Sequence, residues 1–364
     1  MTTSLVAEPE VRSKVEFVAH NLQNRAGIRL LMSCLLAKAH RPQVDIRKPY
    51  TEIGGADSYS GRTYDEQYLS AFIIEHGLPC NTTTAFLTPA LRNRNIVLTP
   101  DVNLVGRPPR LYQSVLELLT DVYAGRVAAE DLLAETVRYL LVLRDQQRLR
   151  METLLSQLEA TDEAMPLSAE SIITLIQQHR ASPRSSRLLV LIVAAAYMAA
   201  SANLGERVLP LQSHTAADRQ TGALGDVEIT LVADNNVITS YEMKDKRVTR
   251  NDLDIALAKV ARFHGNQSRR IDNYIFITTE EVAVEVQEYA ASLYQRTGGV
   301  EFVVLDCVAF LRHFLHLFHR LRMQFLDAYQ KLVLQEPDSS VSQPLKELFL
   351  NLRRAAESQI SEDM

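Results

Sequence analysis

The sequence is poor in cysteine, which excludes several kinds of small stabilised fold. The chain has only three cysteines, Cys34, Cys80 and Cys307, and they lie far apart. Because there is no CxxC pair and no even-numbered framework, cysteine-bound structural zinc and a disulfide scaffold are both excluded. Residues 1–10 contain acidic residues and no apolar segment typical of a secretory signal. These features favour a reducing compartment, and we expect a cytoplasmic protein.

Glycine, proline and long apolar runs are also scarce. With 13 Gly, 13 Pro and 46% hydrophobic residues, the chain is an ordered globular protein and is neither collagen-like nor low-complexity. At 364 residues it is long enough for two or three packed units. The most apolar run, 188–202, is shorter than the roughly 20 residues that span a bilayer. We therefore expect a buried helix there and no membrane association.

An excess of positive charge is absent as well. Lys and Arg number 39 against 44 Asp and Glu, which gives a net charge of −5. The chain as a whole is thus no basic coat for nucleic acid. P-loop, GxSxG, HExxH and GxGxxG motifs are missing from the sequence, which disfavours NTPases, hydrolases with a nucleophile elbow, zincins and dinucleotide enzymes. No nucleotide cofactor is expected.

The spacing of apolar residues divides the chain into four segments. Residues 1–110 combine amphipathic helices with a loop-rich stretch, and residues 111–205 are helical. Residues 206–310 change to strands alternating with helices, which is typical of an α/β core, and residues 311–364 return to helices. Asn251 is the expected N-cap of the first helix that follows the β-rich stretch.

A β-hairpin carries the residues with the clearest chemistry. Two β-rich stretches, 227–232 and 237–244, flank a turn of the sequence Ala-Asp-Asn-Asn. Alternation along the first strand places three side chains on one face, those of Asp226, Glu228 and Thr230, and turns three others to the core, those of Val227, Ile229 and Leu231. Glu242 and Lys244 likewise share a face of the second strand. The hairpin is expected to bring them beside Asp226 at the sheet edge.

Two carboxylates and one ammonium at one point suit metal-assisted phosphodiester hydrolysis. Mg²⁺ prefers carboxylate oxygens and keeps waters that can attack a phosphodiester. Lys244 would position that water and balance the charge of the transition state. An acidic residue two positions before a lysine occurs once in the chain, as Glu242-Met243-Lys244. The same short pattern also occurs on solvated strand faces without catalytic function.

The pattern resembles a nuclease family. Asp226, Glu242 and Lys244 resemble the PD-(D/E)xK signature, with Gly225 in place of its Pro. Longer runs, at 61–66, 78–92 and 214–228, resemble type II restriction endonucleases of the SacI-like group, and the likeness extends over roughly residues 50–310. It implies an α/β fold, with a PD-(D/E)xK nuclease-like core at 206–310 whose mixed sheet is flanked by helices. A mainly α-helical, loop-rich N-terminal part would accompany that core.

The resemblance implies Mg²⁺-dependent double-strand cleavage of DNA at a short site, leaving 5′-phosphates, within a restriction-modification system. Asp226 and Glu242 would hold Mg²⁺, and Glu228, Glu206 and Asp218 are possible accessory carboxylates. A homodimer would match a two-fold symmetric site. Two alternatives stay open. One is a structure-specific repair or recombination nuclease with the same core, and the other is a non-catalytic DNA-binding protein.

Local basic clusters are the expected contacts to double-stranded DNA, since phosphate neutralisation sets the electrostatic part of binding. Residues 245–270 hold seven basic residues against three Asp, a local charge of +4. Residues 92–110 hold four Arg against one Asp, a local charge of +3. In this loop-rich segment, Arg92 and Arg94 are the candidates for reading bases. The predicted backbone contacts are Lys246, Arg247, Arg250, Lys259, Arg262, Arg269 and Arg270.

Overall fold

The computed structural model describes residues 4–21, 24–81, 83–159, 166–211, 224–266 and 270–362. The chain divides into two compact units, Met1–Arg150 and Met151–Met364. The four segments that the sequence predicts are a finer division by expected role, and they remain a prediction.

The first unit is built from helices around one apolar core. Its helices are α1 (Pro9–His20), α2 (Ala26–His40), α3 (Gly61–Tyr64), α4 (Ser70–Glu75), α5 (Arg110–Tyr123) and α6 (Ala129–Glu159), which contains the boundary between the units. A π turn, Asp65–Leu69, joins α3 to α4. Gly125, with a φ of 73°, lies between α5 and α6, in the left-handed region that glycine adopts readily.

A buried ion pair ties α2 to the loop-rich stretch of this unit. Arg29 is 1% exposed and Asp65 is fully buried. The Arg29 Nε and Nη2 atoms lie 2.6 and 2.5 Å from Asp65 Oδ1, and Arg29 also donates to the carbonyl oxygen of Asn81. Asp65 Oδ2 accepts hydrogen bonds from the Thr84 hydroxyl and the Ala85 amide. The loop is therefore held by charged groups that are fully engaged inside the unit.

The second unit combines a sheet with helices on both of its faces. Its strands are β1 (Glu206–Val208), β2 (Val227–Leu231), β3 (Val237–Lys244), β4 (Arg270–Thr278) and β5 (Glu301–Asp306). Its remaining helices are α7 (Ala169–Arg180), α8 (Arg187–Leu204), α9 (Arg250–Asn266), α10 (Val284–Arg296), α11 (Cys307–Leu317), α12 (Arg322–Gln335) and α13 (Gln343–Glu362). The predicted hairpin and the alternation of strands and helices are confirmed.

Within the described residues the sheet has the order β1-β2-β3-β4-β5. β1 pairs with β2 and β2 with β3 in antiparallel orientation, whereas β3 with β4 and β4 with β5 are parallel. The predicted α/β class with a mixed sheet flanked by helices is confirmed. Because β3 is central in this order, the two apolar cores of the unit lie on opposite faces of the sheet around it.

One face of the sheet packs on α7, α8 and α11–α13. Val227, Ile229 and Tyr241 face this core, as the alternation predicts. Helix α8 is long and apolar enough to cross a membrane, yet most of it is buried here against the other helices. The predicted buried helix is thus found in the core of this unit.

The opposite face of the sheet packs on α9 and α10 and forms a second core. Ile238, Tyr274 and Phe302 belong to it. Thr230, predicted to share the polar face of β2, is only 2% exposed. The alternation predicts a polar face opposite Val227. In the structure helices cover that face, so polar groups on it need partners.

Burial keeps His179 neutral, which makes the second unit sensitive to acid. The ring is fully buried, with Nδ1 3.0 Å from the Tyr329 hydroxyl and Nε2 3.0 Å from the Leu345 carbonyl. Burial lowers the pKa of His179 from 6.5 to about 4. Between these values the unfolded chain binds more protons than the folded one, so the free energy of unfolding falls as the pH falls. We expect it to be about 2 kcal/mol lower at pH 5 than at pH 7.5 from this residue.

Urea denaturation at the two pH values measures this loss. His179→Gln removes the titrating group, so its unfolding free energy should fall by about 2 kcal/mol less over the same interval. An equal fall in the parent and in the variant would assign the acid sensitivity to other groups.

Candidate active site

The hairpin brings the three predicted catalytic residues to one end of the sheet. Val227 is paired with Tyr241, so Asp226 lies opposite Glu242, and Lys244 ends β3. The Asp226 amide donates to the Tyr241 carbonyl at 2.7 Å, and the Met243 amide donates to Asp226 Oδ2 at 2.7 Å. The sequence predicted a site at the sheet edge. It lies instead at the ends of two interior strands.

Glu242 accepts contacts from three side chains. Lys244 Nζ lies 3.1 Å from Oε1, and Lys259 Nζ lies 3.1 Å from Oε2. The Tyr274 hydroxyl oxygen lies 3.0 Å from the same Oε2. Glu242 and Lys244 are 16% and 22% exposed. A solvated strand face would leave both in water, so the geometry contradicts that interpretation of the Glu-Met-Lys pattern.

Helix α9 supplies a third carboxylate, which the sequence analysis did not identify. Asp252 Oδ1 lies 3.5 Å from Lys244 Nζ. Its Oδ2 accepts hydrogen bonds from the Thr249 amide at 3.0 Å and the Thr249 hydroxyl at 2.6 Å. The Asp252 amide in turn donates to Thr249 Oγ1 at 3.4 Å, which completes a capping box. Thr249 therefore caps α9, and the predicted cap at Asn251 is wrong. A Thr-x-x-Asp signal directly after the hairpin was the available clue.

Asp252 is ionised in this environment. Burial raises its pKa, but the hydrogen bonds from Thr249 and the positive charges of Lys244 and Lys246 outweigh burial, so its pKa lies below the ordinary value. Lys244 is consequently held between two anionic groups, one on its own strand and one on α9.

Gly225 allows the backbone before Asp226 to approach β3 closely. A Cβ at this position would lie 2.5 Å from the Tyr241 carbonyl oxygen and 2.6 Å from Ser240 Oγ. Both distances are shorter than van der Waals contact, and one of the atoms is backbone. Because Gly225 has no side chain, the backbone can bring Asp226 close against β3.

Gly225→Ala should displace Asp226 and impair the site more than the fold. We expect a loss of about 1–3 kcal/mol in unfolding free energy from overpacking. The DNA cleavage that the resemblance implies should fall by at least about tenfold, because a shift of Asp226 misplaces one of the two predicted metal ligands. Thermal denaturation and a cleavage assay measure the two effects. Parental activity in Gly225→Ala would show that Asp226 needs no such placement.

The predicted accessory carboxylates are used differently. Glu228 accepts a hydrogen bond from the Leu224 amide at 2.8 Å and so stabilises the turn before Asp226. Glu206 is paired with Leu231, at the other end of β2 from Asp226, and burial raises its pKa. The structure does not bring Glu206 to the site. Asp218 lies outside the described residues.

The basic cluster at 245–270 is spread over the second unit. Lys246, Arg247 and Arg250 are exposed and follow β3 closely. Arg262, also exposed, lies one turn beyond Lys259 on α9. Arg270 begins β4 opposite Val237, about 23 Å along β3 from Lys244 at roughly 3.3 Å per residue. The structure therefore does not bring Arg270 to the site, and Arg269 lies outside the described residues.

The predicted base-reading residues lie on an exposed turn of the first unit. Arg92 and Arg94 are both exposed, and Arg94 Nε donates to the Ala90 carbonyl at 3.1 Å. Asn93 and Asn95 have φ values of 55° and 46°. Asparagine adopts this left-handed conformation more readily than most residues, so the two asparagines favour the tight turn that exposes the arginines.

The donor set fits a hard cation better than zinc. Among the residues that the structure describes, no group of three or more His, Cys, Asp and Glu could hold a metal. Asp226 and Glu242 offer two carboxylates, which is the usual protein contribution to a Mg²⁺ site that keeps several waters. A closed zinc site would require four ligands, most of them His or Cys.

Comparison with known families identifies the segment that carries this site. The family model described as the SacI restriction endonuclease C-terminal domain matches residues 165–278, from before α7 to the end of β4. No curated protein matches the chain. The match includes Asp226, Glu242 and Lys244, whereas the N-terminal resemblance at 61–92 lies outside it. Residues 165–278 are therefore similar to the SacI restriction endonuclease C-terminal domain, and this match supports a restriction endonuclease of the SacI-like group.

Proposed function

We propose that the chain is a type II site-specific deoxyribonuclease that cleaves both strands of DNA at a short sequence, requires Mg²⁺, leaves 5′-phosphates and acts in a restriction-modification system. The observation that carries the proposal is the convergence of Asp226, Glu242 and Lys244 at one end of interior strands, within the matched segment. A hairpin with Asp directly before one strand and Glu-x-Lys at the end of the next also supports a PD-(D/E)xK-type core.

The residues divide the chemistry between them. Asp226 and Glu242 would hold the metal, which when bound supplies positive charge and ordered water at the phosphodiester. Lys244 would orient the attacking water and offset the charge that develops in the transition state. Its position between Glu242 and Asp252 keeps the ammonium in place before substrate arrives. In-line attack would leave a 3′-hydroxyl and a 5′-phosphate.

DNA would be held by the basic residues nearest this site. Lys246, Arg247 and Arg250 are exposed and follow β3 directly, so they are the strongest candidates for phosphate contacts. Two copies of the chain would act together, since each subunit cuts one strand of a two-fold symmetric site.

Incubation with plasmid DNA and Mg²⁺, followed by sequencing of the ends, tests the function. Defined fragments with 5′-phosphates would support the proposal and also give the recognition sequence and the stagger. Cutting confined to junctions or flaps would favour a repair or recombination nuclease. DNA binding without cleavage of any substrate would favour the non-catalytic alternative.

Arg92→Ala tests the proposed recognition turn. If Arg92 reads a base, the variant should bind its recognition site at least about tenfold more weakly, because a bidentate base contact contributes about 1–3 kcal/mol of discrimination. Binding to unrelated duplex DNA should change much less. Fluorescence anisotropy with the two duplexes at one salt concentration measures both. Equal loss on both duplexes would make Arg92 a phosphate contact.

A further inference from the structure

Lys259 is a second ammonium group in the site, and its environment is unlike that of a surface lysine. It lies on α9, and its Nζ is 3.1 Å from Glu242 Oε2, while Lys244 occupies the other oxygen. Its side chain is only 16% exposed. An ammonium with so little solvent is stable only when anionic groups compensate the lost hydration. The sequence analysis had predicted Lys259 as a contact to the DNA backbone.

The face of α9 that carries Lys259 is directed at the Glu-x-Lys strand. Asp252 and Lys259 are seven residues apart, which is two helical turns, so they share one face of the helix. Ala256 lies between them and is 2% exposed. The helix thus presents one acid and one base, and these pair with the opposite charges of the strand, Asp252 with Lys244 and Lys259 with Glu242.

The charges of this cluster are close to balance before any metal binds. Three carboxylates, those of Asp226, Glu242 and Asp252, lie with the two ammonium groups of Lys244 and Lys259. A divalent cation held by Asp226 and Glu242 would add two positive charges beside an ammonium that already contacts Glu242. Like charges close together in a partly buried site repel each other strongly. Binding of the cation therefore disfavours the contact of Lys259 with Glu242, and that contact disfavours binding of the cation. A phosphodiester would offer the ammonium a new anionic partner.

We propose that Lys259 is a second active-site lysine, which competes with the divalent metal for Glu242 and turns to the phosphodiester when the metal is bound. The competition for Glu242 requires that Glu242 ligates the metal, but it does not require that the chain cleaves DNA. The contact to the phosphodiester rests on the proposed nuclease function. Together they make metal binding weak without DNA and stronger with it.

Titration of the full chain with Mn²⁺ alone, followed by the electron paramagnetic resonance of free Mn²⁺, tests the competition. Lys259→Met should bind Mn²⁺ roughly tenfold more tightly than the parent, because a nearby positive charge is removed. Lys259→Arg keeps the charge and should stay within about twofold of the parent. The matched control Lys331→Met, at an exposed lysine of α12, should also stay within about twofold. Equal or weaker Mn²⁺ binding by Lys259→Met would overturn the competition.

Single-turnover cleavage at saturating Mg²⁺ tests the second role. Lys259→Met should cleave about 100-fold more slowly despite its tighter metal binding, and Lys259→Arg should recover part of the rate. Cleavage at the parental rate would overturn the contact to the phosphodiester. Lys259→Gln repeats both measurements, so that the result does not depend on the folding of one variant. If the parent cleaves no DNA while the Mn²⁺ results hold, the nuclease proposal fails and the competition stands.

Discussion

Glu242→Gln and Lys244→Ala should each reduce DNA cleavage by roughly 10³-fold or more while the chain stays folded. Glu242 is a predicted metal ligand and contacts both lysines of the site, at 3.1 Å each. Lys244 is the group proposed to orient the attacking water. Loss of either removes an interaction that is needed in the transition state, and substrate binding does not replace it. The glutamine keeps the shape of Glu242, which limits the structural disturbance.

Matched variants separate catalysis from general charge effects. Glu288→Gln and Lys331→Ala change exposed residues of α10 and α12 and should leave the cleavage rate within about twofold. Single-turnover rates, metal-free DNA binding and thermal denaturation should be measured on all four variants. Retained DNA binding with lost cleavage is the expected result for the site variants. Unchanged cleavage in Glu242→Gln or in Lys244→Ala would refute the assigned site.

Asp65→Ala should be strongly destabilising, by about 3–5 kcal/mol in the free energy of unfolding of the first unit. Asp65 is fully buried and compensates the charge of Arg29, which is 1% exposed. Removal of the carboxylate leaves the guanidinium buried beside apolar residues, and it also leaves the Thr84 hydroxyl and the Ala85 amide without that acceptor. The loop that contains the predicted recognition turn is expected to lose order first.

Two comparisons show that burial causes this effect. Arg62 and Glu66 form an exposed ion pair in the same helical segment, with 54% and 42% exposure, so Arg62→Ala should cost less than about 1 kcal/mol. The double variant Arg29→Met, Asp65→Leu should be less destabilised than Asp65→Ala, because no uncompensated charge remains. Urea denaturation measures all three variants. Similar losses in Asp65→Ala and Arg62→Ala would contradict the role of the buried pair.

Local patterns were sufficient to predict the hairpin and to place Asp226 opposite Glu242, two of the predicted catalytic residues. The alternation of apolar residues along β2 and β3 fixes which side chains share a face, and the short turn fixes which residues lie opposite. The local sequence of the hairpin, about 20 residues, is therefore sufficient to place Asp226 beside Glu242. The alternation of strands and helices in the second unit follows in the same way from apolar spacing and breakers.

Two residues that the sequence analysis predicted near the site lie far from it, because extended strands separate them from the site. Glu206 and Arg270 are close to the site in the chain, yet each lies at the opposite end of its strand pair. An extended strand advances about 3.3 Å per residue. Charged residues of one sequence segment can therefore lie at opposite ends of a strand, far apart in space.

The sequence by itself determined the α/β order of elements and the Asp, Glu and Lys of the hairpin, because strand alternation and turn chemistry are local. Only the tertiary structure decided that α9 covers the polar face of the sheet and places Asp252 and Lys259 on the Glu-x-Lys pair. That placement depends on the packing of Ala256 and its apolar neighbours against β3 and β4, a long-range contact that no short pattern specifies. The same packing brings Tyr274 to Glu242 from a parallel strand that is 32 residues further along the chain.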